Sequence, residues 1–320
     1  MNLWRVSPAG SLRTTGVLVA VPLVAALALS GCSSAPTTPS STAPPTTNGA
    51  SGGTGGGGTG QAFHRVGPCE YSGAIPSPRV SLDGAPEVQT QLGIALAPAA
   101  ASPLLAAAYR QFNDMRCTRY QHRDVQNAAE GTYYYDCVGF TSYTLRVAAP
   151  RSWDELVTGV HLRSGFVPSP KRYVSFFRRL ESHPRPGWRQ VATAAAILPG
   201  DLLAWSPSAE DTASDGHSVE ALSKPLALGD GHYALVVMDS TATPHGPDDT
   251  RQAGNRLSER NAPLAGHGAS TTGRGARSGL GIGTIVLFTR SSGKVVGVEW
   301  SFAGNVEHVS FAAARAVAPS

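Results

Sequence analysis

The sequence is most informative first in what it lacks. Among its 320 residues there is no His-Glu-x-x-His, no Cys-x-x-Cys and no His-x-His. The nine histidines are scattered rather than held at ligand spacing, which argues against a zinc centre and leaves no cofactor to expect. The net charge is only +4, and the arginines are spread along the chain. No basic stripe with interleaved aromatics exists, so nucleic acid is not an expected partner. Hydrophobic runs are short: the longest N-terminal one, Gly16 to Leu29, has 14 residues and is interrupted by Pro22. That is too short for a comfortable membrane span. Cysteine is scarce as well, with Cys32, Cys69, Cys117 and Cys137.

What is present begins with targeting. Arg5 and Arg13 precede the apolar run, which ends in Leu29-Ser30-Gly31-Cys32. This resembles the lipobox of bacterial lipoproteins, in which the cysteine is lipidated and becomes the mature N-terminus. The resemblance implies that residues 1–32 are a signal peptide and that Cys32 anchors the chain to the outer face of the cell membrane. An ordinary signal peptide with an incidental cysteine is the alternative. Residues 33–61 are Ser, Thr, Pro and Gly with almost nothing apolar, and so read as a disordered linker. A flexible coil of that length spans on the order of 30 Å.

Residues 62–320 read as one folded domain. Ser102 caps a helix whose Leu104, Leu105, Ala108, Phe112 and Met115 share a face. Residues 168–182 read as a second amphipathic helix with a solvated basic face. The period then changes. Strands are expected after Leu198-Pro199-Gly200-Asp201, at 219–222, 233–238, 284–288 and 295–302. Helices followed by an antiparallel run give an α+β class. The stretch 254–283 reads as a long mobile loop, a candidate lid, and its Gly279-x-Gly281-x-Gly283 has no helix after it to make a phosphate loop.

The stretch that carries chemistry is Tyr133-Tyr134-Tyr135-Asp136-Cys137-Val138-Gly139-Phe140. Asp136 is a good N-cap, and Phe140, Tyr143, Thr144 and Val147 recur at helical spacing behind it. A thiol at a helix N-terminus faces unpaired N–H groups and the positive end of the dipole, both of which favour thiolate. A small buried hydrophobe is the bland alternative for such a cysteine. With Cys32 lipidated and Cys137 the nucleophile, Cys69 and Cys117 remain, either as an exported disulfide or as two buried thiols.

Tyr135-Asp136-Cys137-Val138-Gly139-Phe140 resembles the nucleophile motif Asp-Cys-Ser-Gly-(Phe/Leu) of NlpC-like cell-wall cysteine peptidases, with Val138 in place of the usual Ser. Leu198-Pro199-Gly200-Asp201-Leu202 is similar to that family's Pro-Gly-Asp-Leu turn. The resemblance covers roughly residues 100–250. It implies a papain-like fold with N-terminal helices packed on an antiparallel sheet. It also implies cleavage of an amide bond in peptidoglycan stem peptides by a Cys-His-polar trio. His217 lies 16 residues after Asp201 and His232 lies 31 after. On the family's register His217 is the expected base and Asp239 its orienting partner, with His232 and His245 as the alternative pair. Tyr133, Tyr134 and Tyr135 are candidate cleft donors, and Asp201 reads as a turn residue holding backbone N–H groups. Two other functions keep the same frame. One is an inactive domain that binds wall peptides or a partner protein, and the other is a hydrolase of a different amide or ester.

Overall fold

The computed structural model describes residues 76–208, 216–252, 254–261 and 278–317. The lipobox Cys32, the linker and Cys69 lie outside the described residues. Four helices come first: α1 (Pro103–Asp114), α2 (Cys137–Ala148), α3 (Pro150–Gly159) and α4 (Pro170–Arg179). Three short strands interrupt them, β1 (Cys117–Arg119), β2 (Val125–Asn127) and β3 (Thr132–Tyr134), with β3 paired to both others. The second half is β4 (Trp188–Val191), β5 (Leu202–Pro207), β6 (His217–Ala221), β7 (Leu226–Gly229), β8 (His232–Thr241), β9 (Gly279–Thr289), β10 (Val295–Glu299) and β11 (Val306–Ala316).

Six of these strands close on themselves. The order β10-β9-β8-β6-β5-β11 is antiparallel throughout, and β11 returns to β10 through Gly297↔His308, Val298↔Glu307 and Glu299↔Val306. The α+β, papain-like arrangement of helices on an open sheet is therefore incorrect. The architecture is a closed six-stranded antiparallel β-barrel with few helices, 31% strand against 27% helix among the described residues. The strand that decides the difference is β11, Val-Glu-His-Val-Ser-Phe-Ala-Ala-Ala-Arg-Ala. Alanine and charged residues are poor strand formers, so local propensity conceals it. Its length lets it pair β10 at one end, β5 along its middle and β4 at the far end.

Alternation along the strands sorts the core. Trp205, Val219, Leu235, Val237, Ile285, Leu287 and Val309 point inward and fill the barrel. The opposite faces carry two outer clusters. Leu222, Val236, Met238, Leu280 and Ile282 pack under α1, with Leu105, Tyr109, Phe112 and Phe140. Leu202, Ala204, Ala312 and Ala314 pack under α2 and α4, with Leu145, Tyr173, Phe177 and Trp188.

Local chemistry sets the ends of these elements. Ser102 Oγ accepts from the Leu104 N–H to open α1, with Pro103 in the first turn. The far end of α1 is closed by a residue from the expected lid. Arg260 is 1% exposed, and its guanidinium donates to the carbonyls of Phe112, Asn113 and Met115. Asn261 Nδ2 donates to the carbonyls of Ser278 and Leu280. The lid reading of 254–283 thus needs correcting at both ends: 254–261 is fastened to α1 and β9, and 279–283 is strand. Residues 262–277 lie outside the described residues.

One buried acid has a measurable consequence. Glu220 on β6 is fully buried, and neither carboxylate oxygen has a hydrogen-bond partner among the described residues. Burial first, then repulsion from Asp201, holds its carboxyl well above the usual range. An acid whose folded pKa is raised contributes stability below its unfolded value and loses it as pH rises toward the folded one. Glu220→Gln is therefore expected to be more stable than the parent, by a margin that widens between pH 5 and pH 8. Urea unfolding at the two pH values measures it; an equal margin at both would contradict the assignment.

Candidate active site

The site is assembled at one end of the barrel from α2, β6, β8 and the loop after β8. Asp136 caps α2, its Oδ1 accepting from the Gly139 N–H at 2.8 Å, so Cys137 is the first helical residue. Gly139 has no room for a side chain: a Cβ would lie 2.5 Å from Asp124 Oδ1 and 2.6 Å from Tyr135 Cβ. The glycine two residues after the cysteine therefore has a packing reason. Cys137 is 5% exposed and is a free thiol.

His217 opens β6 directly opposite Trp205 of β5. The residue before it must be glycine. Gly216 has φ +102°, and a Cβ there would lie 1.9 Å from the Trp205 carbonyl oxygen. His217 Nε2 donates to Asp239 Oδ2 at 2.5 Å. With Nε2 occupied, Nδ1 is the nitrogen left for Cys137, whose sulfur is a hydrogen-bond and charge partner of the same ring. Burial lowers the basicity of His217. The charge on Cys137 and the bonds to Asp239 and Cys137 outweigh it, and the ring is pushed up to about 10. Glu307 on β11 also faces this ring; burial raises its carboxyl and the charge on His217 lowers it.

The neighbours of the two polar residues point out of the barrel and hold α2 in register. Ser218 Oγ lies 3.1 Å from Thr141 Oγ1, one turn after Cys137. Ser240 Oγ donates to the Tyr135 carbonyl at 2.7 Å, two residues before Cys137. Strand alternation thus does two tasks at once: His217 and Asp239 point inward, and Ser218 and Ser240 tie the cysteine's helix to their backs.

Asp239 is fully buried and heavily partnered. Besides His217, its Oδ2 takes His245 Nε2 at 3.1 Å, and Arg251 Nη2 lies 3.0 Å from Oδ1. Burial alone would raise its pKa. The charges of His245 and Arg251 and the bond from His217 override burial and hold the carboxyl well below its usual range. Arg251 is itself locked by Asp249, with Nε to Oδ1 at 2.8 Å and Nη2 to Oδ2 at 2.7 Å, and it donates to the Gly279 carbonyl at 2.8 Å. Trp300 covers the histidines: its ring centre lies 4.0 Å from that of His245 and 4.9 Å from that of His217.

The structure therefore brings Cys137, His217, Asp239 and His245 together. It places His232 elsewhere. That residue sits at the opposite end of β8, about 23 Å along the strand from Asp239 at ~3.3 Å per residue, and packs on Phe288. The alternative pairing of His232 with His245 is thus not formed. Asp201 holds the Leu198 N–H at 2.8 Å and a two-pronged ion pair with Arg315, away from the cysteine. Tyr133 and Tyr135 are core residues, with the Tyr135 hydroxyl donating to Gln111, and Arg119 stacks on Tyr134. Tyr133 and Tyr135 are therefore not cleft donors. Cys117 is disulfide-bonded. Cys69, its expected partner, lies outside the described residues.

Asp249, Arg251 and Trp300 were not legible as site residues, although one signal pointed to them. Gly279, Gly281 and Gly283 alternate along β9, and Gly281 lies opposite Asp239. A Cβ on Gly281 would lie 2.5 Å from Arg251 Nε, and one on Gly283 would lie 2.8 Å from Asp249 Oδ2. Glycine at every second strand position marks a face against which other groups must lie flat.

No family model matches the chain, and no solved structure matches it. Among curated proteins it is similar to an uncharacterized protein of Acanthamoeba polyphaga mimivirus. The two are 23% identical over 192 residues, covering 54% of this chain and 71% of the relative.

Proposed function

We propose that the chain is a cysteine hydrolase of cell-wall peptides, tethered by lipid at Cys32 to the outer face of the membrane. The observation that carries the reading is the series Cys137, His217, Asp239: a thiol at a helix start, an imidazole in contact with it, and a buried carboxylate on the other ring nitrogen. Each member has a distinct task. Cys137 Sγ, its proton held on His217, attacks the carbonyl carbon of an amide, forming the S–C bond. The first N–H groups of α2 lie at the sulfur and suit the developing oxyanion. His217 gives its proton to the leaving nitrogen as the C–N bond breaks. It then takes a proton from water, whose oxygen attacks the thioester and releases the acid and the thiol. Asp239 fixes the ring so that Nδ1 faces sulfur, and it stabilises the imidazolium.

The substrate class and the anchor come from the resemblance of the Asp-Cys-Val-Gly-Phe and Pro-Gly-Asp-Leu segments and of the lipobox, and not from the fold, which differs from that family's. Chemistry of this kind belongs to the site and recurs on unrelated architectures. The test is to incubate the purified chain with peptidoglycan and count newly released amino groups. Release is expected from the parent and not from Cys137→Ala. Release that persists in Cys137→Ala would rule out this mechanism.

A further inference from the structure

The strand that closes the barrel also carries a charge into its mouth. Glu307 of β11 lies directly opposite Val298 of β10. Residues directly opposite in an antiparallel pair share a face of the sheet, and Val298 points into the barrel. The period of β11 gives the same phase independently. Val309, two residues on, fills the interior, and Phe311, two further, lies opposite the inward Trp205. Glu307 therefore points inward. It does so at the end of the barrel where β5 stops and His217 opens β6, and its carboxyl feels the charge of the His217 ring. Trp300 walls the same space, with its ring centre 4.9 Å from that of His217 and 6.4 Å from that of Trp205. Glu307 differs from the other acids at this end. Asp239 and Asp249 are fully buried and share Arg251. Glu307 is exposed, and no hydrogen bond or ion pair holds its side chain among the described residues.

We propose that Glu307 is a specificity-determining residue, which holds a cationic group of the substrate, an ammonium or a guanidinium, beside the amide that Cys137 attacks. An ionised carboxylate only accepts hydrogen bonds, and both cations only donate them. Arg251 cannot satisfy it, because that guanidinium is taken by Asp239, Asp249 and the Gly279 carbonyl. The indole of Trp300 is a low-dielectric wall, and such walls focus the field of a charge that lines a cleft. A carboxylate facing His217 would also favour the imidazolium. The two effects part cleanly: tuning of the ring acts on every substrate alike, whereas selection depends on the charge of the incoming group. The proposal deepens the hydrolase reading and rests on it for the identity of the cation as the substrate's own.

The test uses the thiol itself as the probe, so it needs no amide to be cleaved. The full chain is treated at pH 8 and low salt with three methanethiosulfonates that carry a trimethylammonioethyl, a sulfonatoethyl or a plain methyl group. The Cys137 thiolate attacks the sulfenyl sulfur of each, forming a disulfide and releasing methanesulfinate, and mass spectrometry follows the Cys137 peptide. The cationic reagent is expected to react faster than the anionic one. That ratio should fall about tenfold in Glu307→Gln, the order for one charge a few ångströms from the reagent's in water, and Glu307→Asp should keep most of it. The neutral reagent should react at nearly the same rate in all three proteins. Glu307→Ser gives the same readout if Glu307→Gln misfolds. A cation-to-anion ratio that survives removal of the carboxylate would overturn the proposal. So would a common fall in all three rates, which would make Glu307 a tuner of the ring. If no reagent modifies Cys137, the hydrolase reading falls and this subsite with it.

Discussion

Asp239→Asn is expected to lower kcat by about 10⁴-fold, the order seen when a buried triad carboxylate is replaced by its amide, with KM changed far less. An amide has nearly the same shape but carries donors on one side. It can turn those donors to His217 Nε2, which then carries no proton, so the neutral ring already holds its one proton at Nδ1 and cannot also take the thiol's. The charge that offsets burial of the imidazolium also disappears. Single-turnover kinetics with a chromogenic amide would separate the chemical step from binding. A fall confined to KM would show that Asp239 shapes the pocket rather than orienting the base. A structural role alone predicts lost stability without this split, so thermal melts should accompany the kinetics.

The second large effect is on stability. Arg251→Met is expected to destabilise the fold by about 3–5 kcal/mol, the range for removing one partner from a buried charge group. It leaves Asp249 and Asp239 in the barrel mouth with their cation gone. For a domain of this size, each kcal/mol shifts Tm by roughly 2–4 °C, so a fall of at least about 6 °C is the readout. The double variant Arg251→Met, Asp249→Leu should recover part of the loss, since replacing both charges by apolar groups is often tolerated. A loss under about 1 kcal/mol in the single variant would place these charges on the well-solvated side of the site.

The site was more legible in the sequence than the fold that holds it. A cysteine behind an N-cap, a Gly-His opening a strand and a carboxylate on the neighbouring strand of the sheet are short-range features, and each is fixed by local chemistry. Gly216 is required by the Trp205 carbonyl, Asp136 by the Gly139 N–H, and the inward phase of His217 and Asp239 by strand period. Barrel closure, by contrast, depends on β11 meeting both β5 and β10, and nothing in Ala312-Ala313-Ala314-Arg315 states that locally. The same holds for Arg260, whose guanidinium closes a helix about 150 residues earlier in the chain. The roles of Arg251 and Asp249 were hidden for a different reason. They act from a loop, and the trace they leave is the space made for them by glycines on β9.

The hydrolase reading stands or falls on whether Cys137, His217 and Asp239 behave as one proton-sharing unit. NMR titration of the His217 ring in the parent and in Cys137→Ala measures this directly. In the parent, the ring is expected to keep its proton through neutral pH and release it only toward about 10, held there against burial by Cys137 and Asp239. The stability that proton contributes is then present at neutral pH and lost as pH climbs through that value. In Cys137→Ala the ring should release its proton at distinctly lower pH. A His217 that titrates alike in both proteins would contradict the account, because the sulfur would then not share the histidine's proton.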